Sequence, residues 1–378
     1  MARRLAWLTG VVWLYVALRI VAGLPVGVGV RAVVAVVLLL IAEQHWWSSH
    51  WFGSLATAEL PRGVLVILAW GFTGLFLFAL LSVARDVAGG IVFVFVHSGG
   101  RWLLAGQVTA ALAVVSAAAT AFGVWQAVKV PRTRTVHLDL AGLAPAFDGY
   151  CIVQLSDLHA SRLLTPRWMA AVVARANAQR PDLVVITGDV ADGTPAVRAA
   201  GVQPLATLRA RDGVLAITGN HEYYSDHAGW MRAYRGMGVR VLDNAHVVIR
   251  RGDAILVVAG VTDVQARAYG DPVPDLAVAL RAAPPGAPVV LLQHRPGAPQ
   301  ANARVGVALQ LSGHTHGGQV RGFDLLVARA NRGFVSGLYQ VGRMQLYVSN
   351  GTGLWAGFAI RLGRPSEITR LVLHPASA

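Results

Sequence analysis

Long apolar runs broken by single polar residues fill the first third of the chain, whereas short β-branched runs alternating with amphipathic stretches fill the rest. In the first region four windows, residues 5–24, 26–42, 63–83 and 102–128, approach the roughly 20 apolar residues that a helix needs to cross a hydrocarbon core about 30 Å thick. Arg19 and Arg31 fall near window ends, where a long side chain can carry its charge out to water. Trp46, Trp47, Trp51 and Trp102 fall where an interfacial aromatic belt would lie. Residues 87–96 are apolar but too short to cross, which predicts a re-entrant or surface-lying segment. Residues 1–23 resemble a signal peptide, yet no small-residue cleavage site is evident and further spans follow, so a retained helix is expected.

From about residue 135 the apolar period shortens. Strands are predicted at 151–155, 183–187, 214–218, 255–259, 289–293 and 307–312, separated by helical stretches, the signature of an α/β fold of repeated strand-helix units. The expected organisation is a membrane region of about four helices over 1–128, a linker and first strand over 129–149, and a catalytic domain over 150–378.

Composition sharpens the division. The 378 residues are 55% hydrophobic and only 14% charged, too apolar for one soluble domain. Residues 1–128 hold seven Arg and three acidic residues, while 129–378 hold 26 basic and 16 acidic. The net charge of +14 does not point to nucleic acid, because arginines are scattered singly, Lys129 is the one lysine, and no aromatic-interleaved basic strip forms. Cys151 is the sole cysteine, which excludes an intramolecular disulfide and a thiolate metal cluster. With the N-terminus inside, Arg3, Arg4, Arg62, Lys129, Arg132 and Arg134 face Arg19, Arg31, Arg85 and Arg101 across the membrane. That excess predicts a multi-pass protein of the bacterial cell membrane with its C-terminal domain in the cytoplasm.

Polar residues cluster just after five of the predicted strands. Asp157 and His159 follow the first, Asp189 the second, Asn220 and His221 the third, His294 the fifth, and His314 with His316 the sixth. Ligands of open α/β sheets bind outside the carboxyl ends of strands, so five strand ends are expected to deliver carboxylate, amide and imidazole to one edge. Mixed oxygen and imidazole donors suit Mn²⁺, Fe and Zn²⁺. Taken singly, each residue has a plainer reading: Asp157 a helix cap, His294 a loop histidine, Asn220 a turn residue.

The blocks read SDLH at 156–159, TGDV at 187–190, TGNHE at 218–222, QH at 293–294 and SGHTHGGQ at 312–319. In order, spacing and residue type they resemble the calcineurin-like metallophosphoesterases over most of residues 150–373, and within them the membrane-attached bacterial branch. The resemblance implies an α+β sandwich and two divalent metal ions. It places Asp157, His159 and His316 on the first ion and Asn220, His294 and His314 on the second, with Asp189 bridging. His221 is implied beside the metals, as the acid that protonates the leaving oxygen. The nucleophile is then a coordinated water, and no Ser or Cys nucleophile is needed. The glycines before Asp189, Asn220 and His314 are expected where the backbone must bend close to the ions.

The resemblance implies cleavage of a phosphodiester or pyrophosphate. Membrane helices joined to the domain favour a membrane-associated or lipid-linked substrate. Residues 223–244, 263–275 and 321–338 are expected around the mouth, with Arg321, Arg332 and Arg361 as candidates for a second phosphate. Gln319 is expected either to reach substrate or to pack. Two other readings compete. The domain could be a non-catalytic regulatory or binding module, against which all eight metal and acid positions stand. The chain could be a small transporter, against which the expected spans lack paired acids and bases.

Overall fold

The computed structural model describes residues 2–53, 58–95 and 106–376. The chain divides into two compact units, Met1–Gln126 with Ala356–Leu362, and Ala127–Trp355 with Gly363–Ala378.

The first unit is helical: α1 (Ala2–Ile20), α2 (Val28–Ala42), α3 (Gln44–Phe52), α4 (Arg62–Phe95) and α5 (Gly106–Val128). Among the described residues three helices are long and apolar enough to cross a membrane, or four if α2 and α3, bent by 62° at their junction, form one broken span. Alone, the 15 residues of α2 reach only about 22 Å. Glu43 occupies the bend and accepts a hydrogen bond from Thr9 Oγ1 at 2.8 Å, which gives the polar break a partner on α1. Residues 87–95 are not a separate re-entrant piece, since α4 runs on through them as one helix; Val96, His97 and Trp102 lie outside the described residues. His45 is buried edge-on against Phe72.

The described helices carry an acid and base cluster just past the end of the expected 63–83 span. Asp86 on α4 pairs with Arg19 on α1 and with neighbouring Arg85, and accepts from Tyr15 Oη at 2.6 Å, while Arg85 donates to Thr109 on α5 at 2.6 Å. Arg85 lies 23 residues beyond Arg62, about 35 Å along the helix, roughly the thickness of a hydrocarbon core. The network thus lies a membrane's thickness from Arg62, and α4 overshoots the core instead of folding back. Residues 356–362 join this unit: Arg361 N–H donates to Gly123 O at 3.0 Å, and a Cβ on Gly123 would collide with Ile360.

Among its described residues the second unit holds twelve strands, β1 (Arg132–Leu140), β2 (Tyr150–Leu155), β3 (Leu183–Thr187), β4 (Val214–Ile217), β5 (Arg240–Val241), β6 (Ala245–Arg251), β7 (Ala254–Gly260), β8 (Val289–Leu292), β9 (Val307–Ser312), β10 (Gly337–Val341), β11 (Met344–Val348) and β12 (Glu367–Pro375). They form two six-stranded sheets, ordered β1-β12-β2-β3-β4-β5 and β10-β11-β9-β8-β7-β6. Helices α6 (Pro166–Asn177), α7 (Pro195–Val202), α8 (Asn220–Ser225), α9 (His227–Gly236), α10 (Leu276–Ala279), α11 (Pro299–Arg304) and α12 (Asp324–Ala330) connect them.

The sheets share one core, in which Ile152, Leu183, Val185 and Ile217 of the first meet Leu256, Val258, Val290, Leu292 and Leu311 of the second. The opposite face of the second sheet packs Val257, Ala259, Leu291 and Val348 with Leu276 and Phe334. Burial on both faces explains why β8 reads as an unbroken apolar run, β3 as one up to its terminal Thr187, and β2 as one interrupted at Gln154. Each such Val, Leu or Ile contributes about 1.5–3 kcal/mol. In the first sheet β2, β3 and β4 are parallel, and in the second β7, β8 and β9 are parallel. The five site-bearing strand ends are therefore shared by two sheets, three on one and two on the other.

Candidate metal centre

The loops leaving these strands are held in unusual backbone conformations. Asp157 (φ 52°), His159 (45°), Asp189 (54°), His314 (69°) and His316 (50°) all occupy the left-handed region, which costs a non-glycine residue about 1–3 kcal/mol. Cross-loop hydrogen bonds impose it: Asp157 N–H donates to Gly188 O and His159 N–H to Asp189 O, each at 3.0 Å. His314 N–H donates to both carboxylate oxygens of Asp157 at 3.0 and 3.1 Å. The three expected glycines fall where no side chain fits. A Cβ on Gly219 would strike the Asp189 carboxylate, and one on Gly313 would strike Ser156 Oγ and Asp157.

The structure brings seven of the eight predicted residues into three clusters, and the eighth, Asn220, accepts from Arg295 Nη2, whose Nη1 faces His314. Asp157, His159 and His316 form one group able to hold a cation, Asp189, His294 and His314 a second, and His159, Asp189 and His221 a third, each with its donor atoms within 4.8 Å of one another. Asp189 Oδ2 sits centrally, 3.3 Å from His294 Nε2, 3.8 Å from His159 Nε2 and 4.0 Å from His221 Nε2. His159 Nδ1 and His221 Nδ1 both engage Asp192 Oδ1 at 2.8 Å, and His294 Nδ1 donates to Thr187 O at 2.8 Å. With Nδ1 so occupied, the fully buried Nε2 atoms of His159 and His294 make no hydrogen bond. Buried imidazole nitrogens held in that tautomer and aimed at a carboxylate are suited to a metal ion, the carboxyl or carbonyl partner fixing each ring.

The electrostatics agree. Burial opposes protonation of His294, yet Asp189 and Asp157 lift it to about 10, a field that equally favours a divalent cation. Burial likewise opposes, and Asp189 and Asp192 outweigh, in raising His221 to about 9. Burial together with the positive His294 and Arg295 holds His314 well below its usual value, hence neutral and able to donate its lone pair.

A profile of the calcineurin-like phosphoesterase family matches residues 151–318. A bovine transmembrane protein with metallophosphoesterase domain is 37% identical over 288 residues, 73% of this chain and 63% of the bovine one. Its zebrafish (Danio rerio) counterpart is 32% identical over 89% of this chain and 76% of its own length. The chain belongs to the calcineurin-like phosphoesterase family. An uncharacterized metallophosphoesterase of Campylobacter jejuni, 30% identical over 89% of this chain and 85% of its own, carries the match into bacteria as well. The relatives thus span vertebrates and bacteria and single out no bacterial branch. Members of the family are generally phosphoester hydrolases with a dinuclear metal centre, and this metallophosphoesterase has the clustered His and Asp residues to hold one.

Three contributors to the site escape motif reading. Asp192, buried, orients His159 and His221 through one oxygen; it stands three residues after Asp189, on the same loop. Glu222, also buried, accepts from Gly219 N–H at 2.7 Å, Asp189 N–H at 3.1 Å, Val190 N–H at 2.8 Å and Tyr234 Oη at 2.9 Å, clamping the loop after β3 to that after β4. Its place in the TGNHE block was the available signal. Arg295 is the arginine that reaches the site: Nε donates to buried Asp263 at 2.9 Å, Nη1 faces His314 Nε2 at 3.2 Å and Nη2 donates to Asn220 Oδ1 at 3.2 Å. Arg361 is instead buried within the first unit, and Gln319 is buried too.

Arg295 is anchored at Nε and presents two further N–H groups towards the expected ligand atoms, the arrangement of a phosphate clamp. Substitution Arg295→Gln should raise KM by about 10- to 100-fold, the worth of one charge-assisted bond of about 1.5–3 kcal/mol, with a smaller change in kcat. Steady-state kinetics measure the split; an unchanged KM would leave Arg295 as packing for Asp263.

Proposed function

We propose that this metallophosphoesterase hydrolyses a phosphodiester or pyrophosphate with two bound divalent ions, on a membrane-associated or lipid-linked substrate. The observation that carries the reading is Asp189 Oδ2 ringed by imidazole nitrogens, two of them buried and without hydrogen bonds, at the ends of strands from both sheets. Asp157, His159 and His316 would hold one ion, Asn220, His294 and His314 the other, and Asp189 both. Such a pair supplies an activated water near neutral pH and a clamp on the attacking and leaving oxygens. His221, whose side chain keeps 19% exposure while the other Asp189 partners are fully buried, faces the mouth and donates its proton to the leaving oxygen. Asp192 holds His221 Nδ1, so that Nε2 points inward. Arg295 receives a phosphate oxygen.

The membrane helices support the substrate class, because Lys129, Val130 and Pro131 alone separate α5 from β1. The test uses the full-length protein in vesicles, stripped of metal and resupplied with Mn²⁺, with lipid pyrophosphates and phosphodiesters offered beside soluble nucleotides. Turnover that vanishes on stripping, returns with Mn²⁺ and favours the lipid substrates is expected. Turnover of soluble compounds alone would remove the lipid part, and none with any metal would leave a non-catalytic binding module.

A further inference from the structure

Beyond His316 the chain presents an apolar face that the metal centre does not use. Phe323, Leu325 and Leu326 are 48%, 72% and 63% exposed, while Asp324 between them is buried. A lone exposed leucine calls for no explanation, but three large apolar side chains within four positions form a patch. This patch is pinned rather than loose. Asp324 accepts from Gly322 N–H at 2.7 Å and pairs with Arg364, and a Cβ on Gly318 would strike the Asp324 backbone. At the far end of the segment Thr315 Oγ1 donates to Val335 O at 2.7 Å. Arg321, Arg329 and Arg332, all exposed, flank the apolar residues along the chain.

Exposed apolar side chains with exposed arginines beside them in the chain match the two layers of a bilayer surface, acyl boundary beneath and anionic headgroups above. The chain itself brings that surface within reach. Helix α5 is apolar enough to cross a membrane and ends at Val128, and the three residues before β1 can span at most about 10 Å. We infer that Phe323, Leu325 and Leu326 insert into the headgroup region of the bilayer that holds the chain's own helices, with Arg321, Arg329 and Arg332 on anionic headgroups. This docking sets the loop of His316 at the lipid surface whatever phosphate compound is cleaved, and so stands apart from the substrate reading.

The test labels Leu325→Cys with an environment-sensitive fluorophore in the full chain, reconstituted in vesicles of phosphatidylglycerol and phosphatidylcholine. Buried Cys151 makes the unsubstituted chain the labelling blank, Val197→Cys on α7, 57% exposed, is the water-facing control, and Phe323→Cys is a second reporter. At 325 and 323 the expected result is blue-shifted emission, quenched by a spin-labelled lipid and shielded from aqueous iodide, with the reverse at 197. Iodide quenching at 325 equal to that at 197 would overturn the inference. Shielding from both quenchers would overturn it as well, because a protein surface rather than lipid would then cover the patch.

Discussion

Asp189→Asn is expected to lower kcat by about 10³-fold, equivalent to about 4 kcal/mol of transition-state stabilisation, while leaving the fold intact. The fold should survive because the amide keeps the carboxylate's shape and its Oδ1 can still accept from His221 N–H, now at 2.9 Å. What disappears is charge at the one oxygen that three imidazoles face. Burial works against that charge, yet His294, His221 and His159 hold Asp189 well below the usual carboxylate range, so it is ionised at every pH of interest. An amide cannot offset repulsion between two cations, and at least one ion should be lost. Metal analysis of the purified variant, with circular dichroism as the check on folding, separates the outcomes. Full metal content with full activity would remove Asp189 from its bridging place.

His221→Ala should lose about 10²- to 10⁴-fold in kcat, the usual worth of a general acid, with both metal equivalents retained. The metal count matters because His221 also lies within ligand distance of His159 and Asp189. Loss of one equivalent would make it a ligand instead. The pH profile supplies a second readout. A general acid works only when protonated, so activity falls as pH rises through its pKa. Asp189 and Asp192 raise His221 to about 9 against the effect of burial. With Asp189 engaged in holding cations, less of its field reaches His221, and the alkaline limb should lie at or below pH 9. Asp192→Asn removes a second negative charge at 2.8 Å, which favours the neutral imidazole and should move that limb to lower pH. An alkaline limb unmoved in Asp192→Asn would separate the limb from His221.

Strand ends were legible where their chemistry is local. The runs 183–187 and 307–312 coincide with β3 and β9, because strands buried on both faces advertise themselves as mostly apolar segments, even with Gln310 inside β9, bounded by glycine and polar residues. The clustering of the seven Asp and His candidates was legible for a different reason: residue types and spacing around glycines that cannot bear a Cβ repeat a known pattern. Asp192 and Arg295 were not legible. An Asp on a loop and an Arg beside a histidine are ordinary in sequence, and only their reach towards His221 and Asn220 distinguishes them. The short edge strand β5, two residues long, offered no apolar period to detect.

In the membrane region, hydropathy located the apolar helices but could not see that Asp86 pairs with Arg19 and Tyr15 as well as with adjacent Arg85, since those two neighbours in space are distant in sequence. Nor could it show that residues 87–95 continue α4. A ten-residue apolar run has the same composition whether it turns back or extends a helix already begun, and helix propagation adds one hydrogen bond per residue without a new nucleus. The sequence by itself determined the two-part architecture, the strand cores and which Asp and His residues to look for at the strand ends, because these depend on period, composition and residue type within short windows. The tertiary structure alone decided that two sheets share the site, that Asp192, Glu222 and Arg295 serve it, and that Leu325 and Leu326 stay largely exposed and Phe323 half-exposed. Those facts rest on distances between residues that the chain's order does not constrain.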